Sequence, residues 1–177
     1  MMTRIEAALH EADAARADLM SFVGALPSAR LSVAVHDDSW SPLEVLEHLR
    51  LVEESTVKLL DRRLQRAREA GLGSSVPEAT AHGDVVPLPD VRVRAPDFVR
   101  PGQGLSPAEV LGGLENSRAA LHRLVAIARE FDVSTVMAEH PVLGELNLYQ
   151  WIHFLGAHER RHLAQIARSV ATISQRV

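Results

Sequence analysis

Four stretches of this chain repeat apolar residues every three and four positions, a period that commits each of them to an amphipathic helix. The first runs from about Thr3 to Leu26 through Ile5, Leu9, Ala12, Leu19 and Val23, and Pro27 ends it. Thr3 and Glu6 have capping-box spacing, in which each side chain satisfies the other residue's main-chain N–H. The second opens at Ser41-Pro42 with Glu44 in the box position. It continues through Leu46, Leu49, Val52, Leu59 and Leu60 to about Ala70, before Gly71. Proline in the first turn and glycine past the last are ordinary helix punctuation. The third repeats this start as Ser106-Pro107 with Glu109 and runs to about Glu130, although Gly112-Gly113 costs its first turns roughly 1 kcal/mol each. The fourth extends from about Asn147 to Ile173. Between the second and third helices lies Leu72 to Leu105, with five prolines. A connection this long inside a compact unit is usually functional or mobile. Val85 to Val93 could pair as a short strand, but Pro87 and Pro89 argue against a central one. The link Asp132 to Leu146 is shorter, and convincing alternation is absent throughout. The expected fold is therefore all-α: one four-helix bundle over residues 1–177 with a long crossover between helices two and three.

Composition narrows the function classes. Apolar residues are 46% of the 177, enough for a core, and charged residues are 24% with a net charge of −4. No basic footprint for a nucleic-acid backbone is present, so no nucleic-acid partner is expected. No apolar run approaches the ~18 residues of a membrane span, and no membrane partner is expected either. The charged start from Met1 to Glu11 does not resemble a secretion signal, which with the absence of cysteine fits a cytoplasmic location. Without cysteine the chain has no disulfide, no thiolate metal ligand and no sulfur nucleophile of its own.

Histidine is the residue type that stands out, at nine copies. On a wheel of the fourth helix, Trp151, His162 and Leu155 all fall within about 60° of His158 on one side, and Phe154 lies about 40° away on the other. His158 and His162 thus sit one turn apart in the middle of the most apolar face, about 6 Å apart along the axis. His153 falls on the opposite side beside Arg160. Two imidazoles at this spacing can converge on one divalent ion. The spacing alone leaves a hydrogen-bonded core pair open as well. The apolar face favours the ion, because buried ring nitrogens are costly unless something satisfies them. On the second helix His48 lies at the margin of the apolar arc, the best-placed third donor. His10, His36, His82, His122 and His140 read as surface residues, with those in connections able to line a mouth. Gln165 shares the ligand face, Glu44 lies one turn before His48 as a possible acceptor for its N–H, and Glu159 reads as a surface partner of an arginine.

Three segments carry a resemblance beyond spacing: Trp40-Ser-Pro-Leu-Glu-Val-Leu-Glu-His48-Leu, His140-Pro-Val-Leu-Gly144-Glu-Leu-Asn147-Leu-Tyr-Gln-Trp151, and His158-Glu-Arg-Arg-His162-Leu-Ala-Gln165-Ile166. In them the chain resembles the DinB-like superfamily of metal-binding four-helix proteins, over nearly its whole length. The resemblance implies a three-histidine site for a divalent metal ion, nickel or zinc first, formed by His48, His158 and His162, and a homodimer. It implies neither polymerase activity nor DNA binding. Relatives include transferases and isomerases that use a low-molecular-weight thiol such as bacillithiol, mycothiol or glutathione, and others described only as metal-dependent hydrolases. Fold and ligands carry over from such a family better than the reaction does. Three imidazoles leave a tetrahedral ion with an open position, the catalytic pattern. There a bound water can fall to a pKa of about 7, and a bound thiol is held as thiolate. The expected function is a metal-dependent enzyme acting on a small-molecule substrate, a thiol S-transferase before a hydrolase. The contrasting reading is a non-enzymatic stress protein in which the ion is structural. No residue is singled out as catalytic.

Overall fold

The computed structural model describes residues 2–74, 88 and 93–175. Its long helices are α1 (Arg4–Gly24), α3 (Pro42–Glu69), α4 (Pro107–Ala128) and α5 (Leu148–Ser174), with a single turn, α2 (Ser28–Leu31), after Pro27. The three expected capping boxes are present, at Thr3/Glu6, Ser41/Glu44 and Ser106/Glu109. A fourth opens α5, where the Asn147 side chain accepts from the Gln150 amide at 2.9 Å and Gln150 reciprocates. The Asp132 to Leu146 link holds more structure than its sequence suggests. Strands β1 (Met137–His140) and β2 (Gly144–Asn147) pair antiparallel, Ala138 opposite Leu146 and His140 opposite Gly144. Four residues per strand are too few to show alternation, and only Ala138 and Leu146 turn into the core. The hairpin is pinned to α5 by the Trp151 Nε1–H, which donates to the Ala138 carbonyl at 3.1 Å.

Neighbouring helices run parallel in two pairs. Along α1 and α5 the contacts advance together: Arg4 lies over the Tyr149 ring, Ala12 against Gly156, and Arg16 pairs with Glu159. Along α3 and α4, Arg50 meets Gly113 and Glu53 meets Ser117 and Arg118. A parallel neighbour requires the chain to travel back along the helix just finished, about 42 Å for the 28 residues of α3. That return is the reason for a long connection between α3 and α4. Its end is clamped by Glu47, whose carboxylate accepts from the amides of Gly102 and Gln103 at 3.1 and 3.0 Å. The α1–α5 pair depends on glycine for close approach, since a Cβ on Gly156 would lie 3.0 Å from the Ala12 Cα, whereas beside Gly113 it is the Arg50 side chain that fills the space.

The core forms two apolar clusters. One gathers Ile5, Ala8, Leu60, Leu121 and Ile152, the other Leu19, Leu46, Leu49, Leu114 and Ile166. Between them, at mid-height on all four long helices, sits a layer of buried charge. Glu53 accepts from Arg16 Nη2 and Arg118 Nε, both at 2.8 Å, and from the Ser117 hydroxyl. Glu159 Oε1 accepts from Arg16 and from Arg118 Nη2, the latter at 3.1 Å. Glu159 is therefore not on the surface as its sequence position suggested, although it does pair with arginine; it is 3% exposed. Helix α5 is covered on two sides, so the direction about 100° round from His158 points into the bundle instead of into water. Burial pushes the Glu159 carboxyl upward against the pull of Arg16 and Arg118.

Candidate metal centre

Helix α3 supplies His48 and α5 supplies His158 and His162, and the three side chains meet. One ring nitrogen from each lies within 4.8 Å of the others. Their rings stand edge to face, with centroids 5.2 Å apart for His48 and His158, 5.0 Å for His48 and His162, and 4.4 Å for His158 and His162. The Nε2 atoms of His158 and His162 are 3.1 Å apart. That separation suits two donors sharing one ion at about 2.0–2.1 Å.

Two of the rings are held from behind in the tautomer that ligation needs. His48 Nδ1 faces the Val99 carbonyl at 2.7 Å; a carbonyl only accepts, so Nδ1 carries the proton and Nε2 keeps its lone pair. His162 Nδ1 faces Gln165 Oε1 at 2.8 Å, with the same consequence once the amide oxygen is the partner. Gln165 thus has the supporting place its position on the helix suggested. Glu44 does not: its carboxylate is spent on the Ser41 main-chain N–H and hydroxyl, and the Val99 carbonyl takes the role instead. Val99 was not legible as a site residue, since it contributes main chain from a 3-10 turn (Asp97–Val99) of the returning connection.

Electrostatics keep the three rings neutral at pH 7. Burial lowers the pKa of His48, partly offset by its hydrogen bond to Val99. Burial, then the neighbouring His162 and His48, hold His158 well below the usual imidazole range. Burial and His48 bring His162 down to about 4. Neutral, convergent imidazoles, one buried and two half-buried, with two of the three tautomers fixed, are a donor set that fits a divalent ion.

The other described histidines are not in this cluster. His10 and His36 are exposed, His153 is half-buried, and His122 pairs with Asp13 at 3.1 Å. His82 lies outside the described residues, as does most of the 85–93 segment. His140 is in the wall of a cavity that opens beside the centre. The cavity has a volume of about 530 Å³ and reaches all three site histidines. Its walls include Val52 and Leu59 of α3, Phe98 and Val99 of the connection, Leu143 of the hairpin loop, and Trp151 and Phe154 of α5. Phe154 stacks on His158 with ring centroids 5.1 Å apart.

A sequence model of the DinB superfamily matches residues 11–166. The chain belongs to the DinB superfamily. Among relatives, the uncharacterized protein YuaE of Bacillus subtilis (strain 168) is 29% identical over 153 residues, covering 86% of this chain and 90% of that protein. Among solved structures, TT2238, described as a four-helix bundle protein, is 28% identical and superposes with a TM-score of 0.65 over 93% of this chain and 98% of its own. As a DinB superfamily member with a four-helix-bundle neighbour, the chain has the fold its periodicity predicts, and the hairpin is a small addition to it. None of its described helices is long and apolar enough to cross a membrane.

Proposed function

We propose that this DinB superfamily chain is a metal-dependent enzyme in which His48, His158 and His162 hold a divalent ion, nickel or zinc, and that it is a thiol S-transferase. The observation that carries this reading is the cavity: the three donor nitrogens converge at the wall of an open apolar space, whereas a purely structural ion is enclosed by its ligands. A divalent ion there supplies a Lewis acid that lowers the pKa of a thiol or water bound to it. The chain's own residues prepare the place. Val99 and Gln165 orient the rings, Phe154 braces His158, and the apolar walls exclude water around a bound substrate. The chain has no cysteine, so the sulfur must arrive on a separate small molecule. In the transfer the thiol gives up its proton to solvent, a sulfur–carbon bond forms, and the electrophile's leaving group departs with the bonding pair.

The test is metal analysis of the purified protein, followed by thiol consumption with bacillithiol, mycothiol and glutathione against monochlorobimane and 1-chloro-2,4-dinitrobenzene. At least one pair is expected to react faster than the uncatalysed rate, with chelation removing the excess. Turnover of ester or amide substrates without any thiol would replace the transferase by a hydrolase. Full metal occupancy with neither activity would favour the non-enzymatic role.

A further inference from the structure

His140 sits at the start of the hairpin loop, where its Nδ1 accepts from two main-chain amides, Val142 at 3.1 Å and Leu143 at 3.2 Å. A nitrogen that accepts from two N–H groups is deprotonated, so in the neutral ring the proton resides on Nε2. Burial lowers the pKa of this imidazole and favours the neutral form. The ring is held between Trp151 and Phe154, with centroids 5.0 and 4.5 Å away. His140 therefore presents a fixed N–H donor on a ring that lines the cavity, and among the described residues no hydrogen bond engages that nitrogen.

Two further features describe what such a donor would meet. Exposed large apolar side chains gather at this cavity: Val93, Phe98 and Val142 line it, and Phe98 is 67% exposed. Among the described residues the charged side chains of the lining are Lys58, Arg62, Arg94 and Arg161 with one carboxylate, Glu139, and Arg94 also lies 4.0 Å from the Asp97 carboxylate. Apolar walls with a cationic border match a molecule that is apolar along its body and negative at one end.

We propose that the cavity binds a small anionic amphiphile, and that His140 holds its oxyanion head through the Nε2–H while the body lies against Trp151, Phe154 and Phe98. The proposal deepens the enzyme reading above by naming the substrate class, and it rests on that reading only for the head's approach to the three-histidine centre. His140 is a substrate-binding donor here, neither a metal ligand nor a base.

Octanoate serves as the probe, with octylamine and propionate as controls, and binding is followed by the fluorescence of Trp40 and Trp151, which both line the cavity and are the chain's two tryptophans. Zinc-loaded protein is expected to bind octanoate at least tenfold more tightly than either control. His140→Asn places an oxygen near the Nδ1 position, so the loop amides keep an acceptor while the distal donor is lost; octanoate affinity is expected to fall about tenfold. His140→Gln extends an amide N–H toward the lost Nε2–H and is expected to recover part of it. A merely structural role in the hairpin would give the reverse order, with asparagine rescuing and glutamine not. Octylamine binding as tightly as octanoate, or His140→Asn binding octanoate like the parent, would overturn the proposal. The same series on metal-free protein separates the two readings. Charge preference and His140 dependence should persist there with weaker binding, whether or not zinc is taken up stoichiometrically.

Discussion

His158→Ala is expected to abolish stoichiometric metal binding while leaving the far-ultraviolet helical signal nearly intact. The two outcomes separate because His158 does different things for the site and for the helix. In the site it is one of three converging rings, 4.4 Å by centroid from His162 and 5.2 Å from His48, and its Nε2 is 3.1 Å from that of His162. Its removal takes one of three donors and leaves a pair that no longer encloses an ion. In the helix, alanine is the better helix former, so α5 loses no local propensity. Loss of a group that only supports a ligand typically costs 10–100-fold in affinity, and loss of the ligand itself should exceed about 100-fold. Elemental analysis after dialysis reads the result. Metal retained at full occupancy by the variant would refute the ligand assignment.

The second large effect is on stability. Glu53→Ala is expected to destabilise the fold by about 3–5 kcal/mol, the cost of removing one partner from a buried ion pair. Glu53 is 1% exposed and is the shared acceptor for Arg16, Arg118 and Ser117 from two other helices. Without it two buried guanidiniums face Glu159 alone at full burial, with the more exposed Asp13 reaching Arg118 at 3.0 Å. Glu159 cannot balance both: its Oε1 is already shared by the two arginines, and one carboxylate charge would face two guanidinium charges. Glu54→Ala is the control one residue along the same helix. Its pair with Arg50 is partly exposed, and its loss should cost no more than about 1 kcal/mol. Urea denaturation compares the two. Equal midpoints would mean that the charged layer contributes nothing particular to the fold.

The helices were legible because their starts are chemically explicit. Ser-Pro-x-Glu at 41 and 106 and Thr3 with Glu6 satisfy orphan amides locally, and the structure shows each box closed. His158 and His162 were legible for a related reason, since angular position on one helix depends on sequence alone. What depended on a second element was not. The wheel gave the direction of Glu159 but could not say that α1 and α4 cover that side. Glu44 is a different case, because the capping box that claims its carboxylate was itself legible at Ser41. Val99 acts through a carbonyl, which every residue has, and only the path of the connection brings it behind His48. The hairpin at 137–147 is too short to carry a period, and His140 gains its fixed tautomer only from that turn.

The account stands on three imidazoles from α3 and α5 binding one ion together. X-ray absorption on zinc-loaded protein tests this most directly, because imidazole rings leave a countable multiple-scattering signature. It predicts one tightly held zinc per chain with three imidazole nitrogens at about 2.0–2.1 Å and at least one further light-atom neighbour. A zinc with one imidazole or none, or a protein that takes up no stoichiometric zinc or nickel, would contradict it.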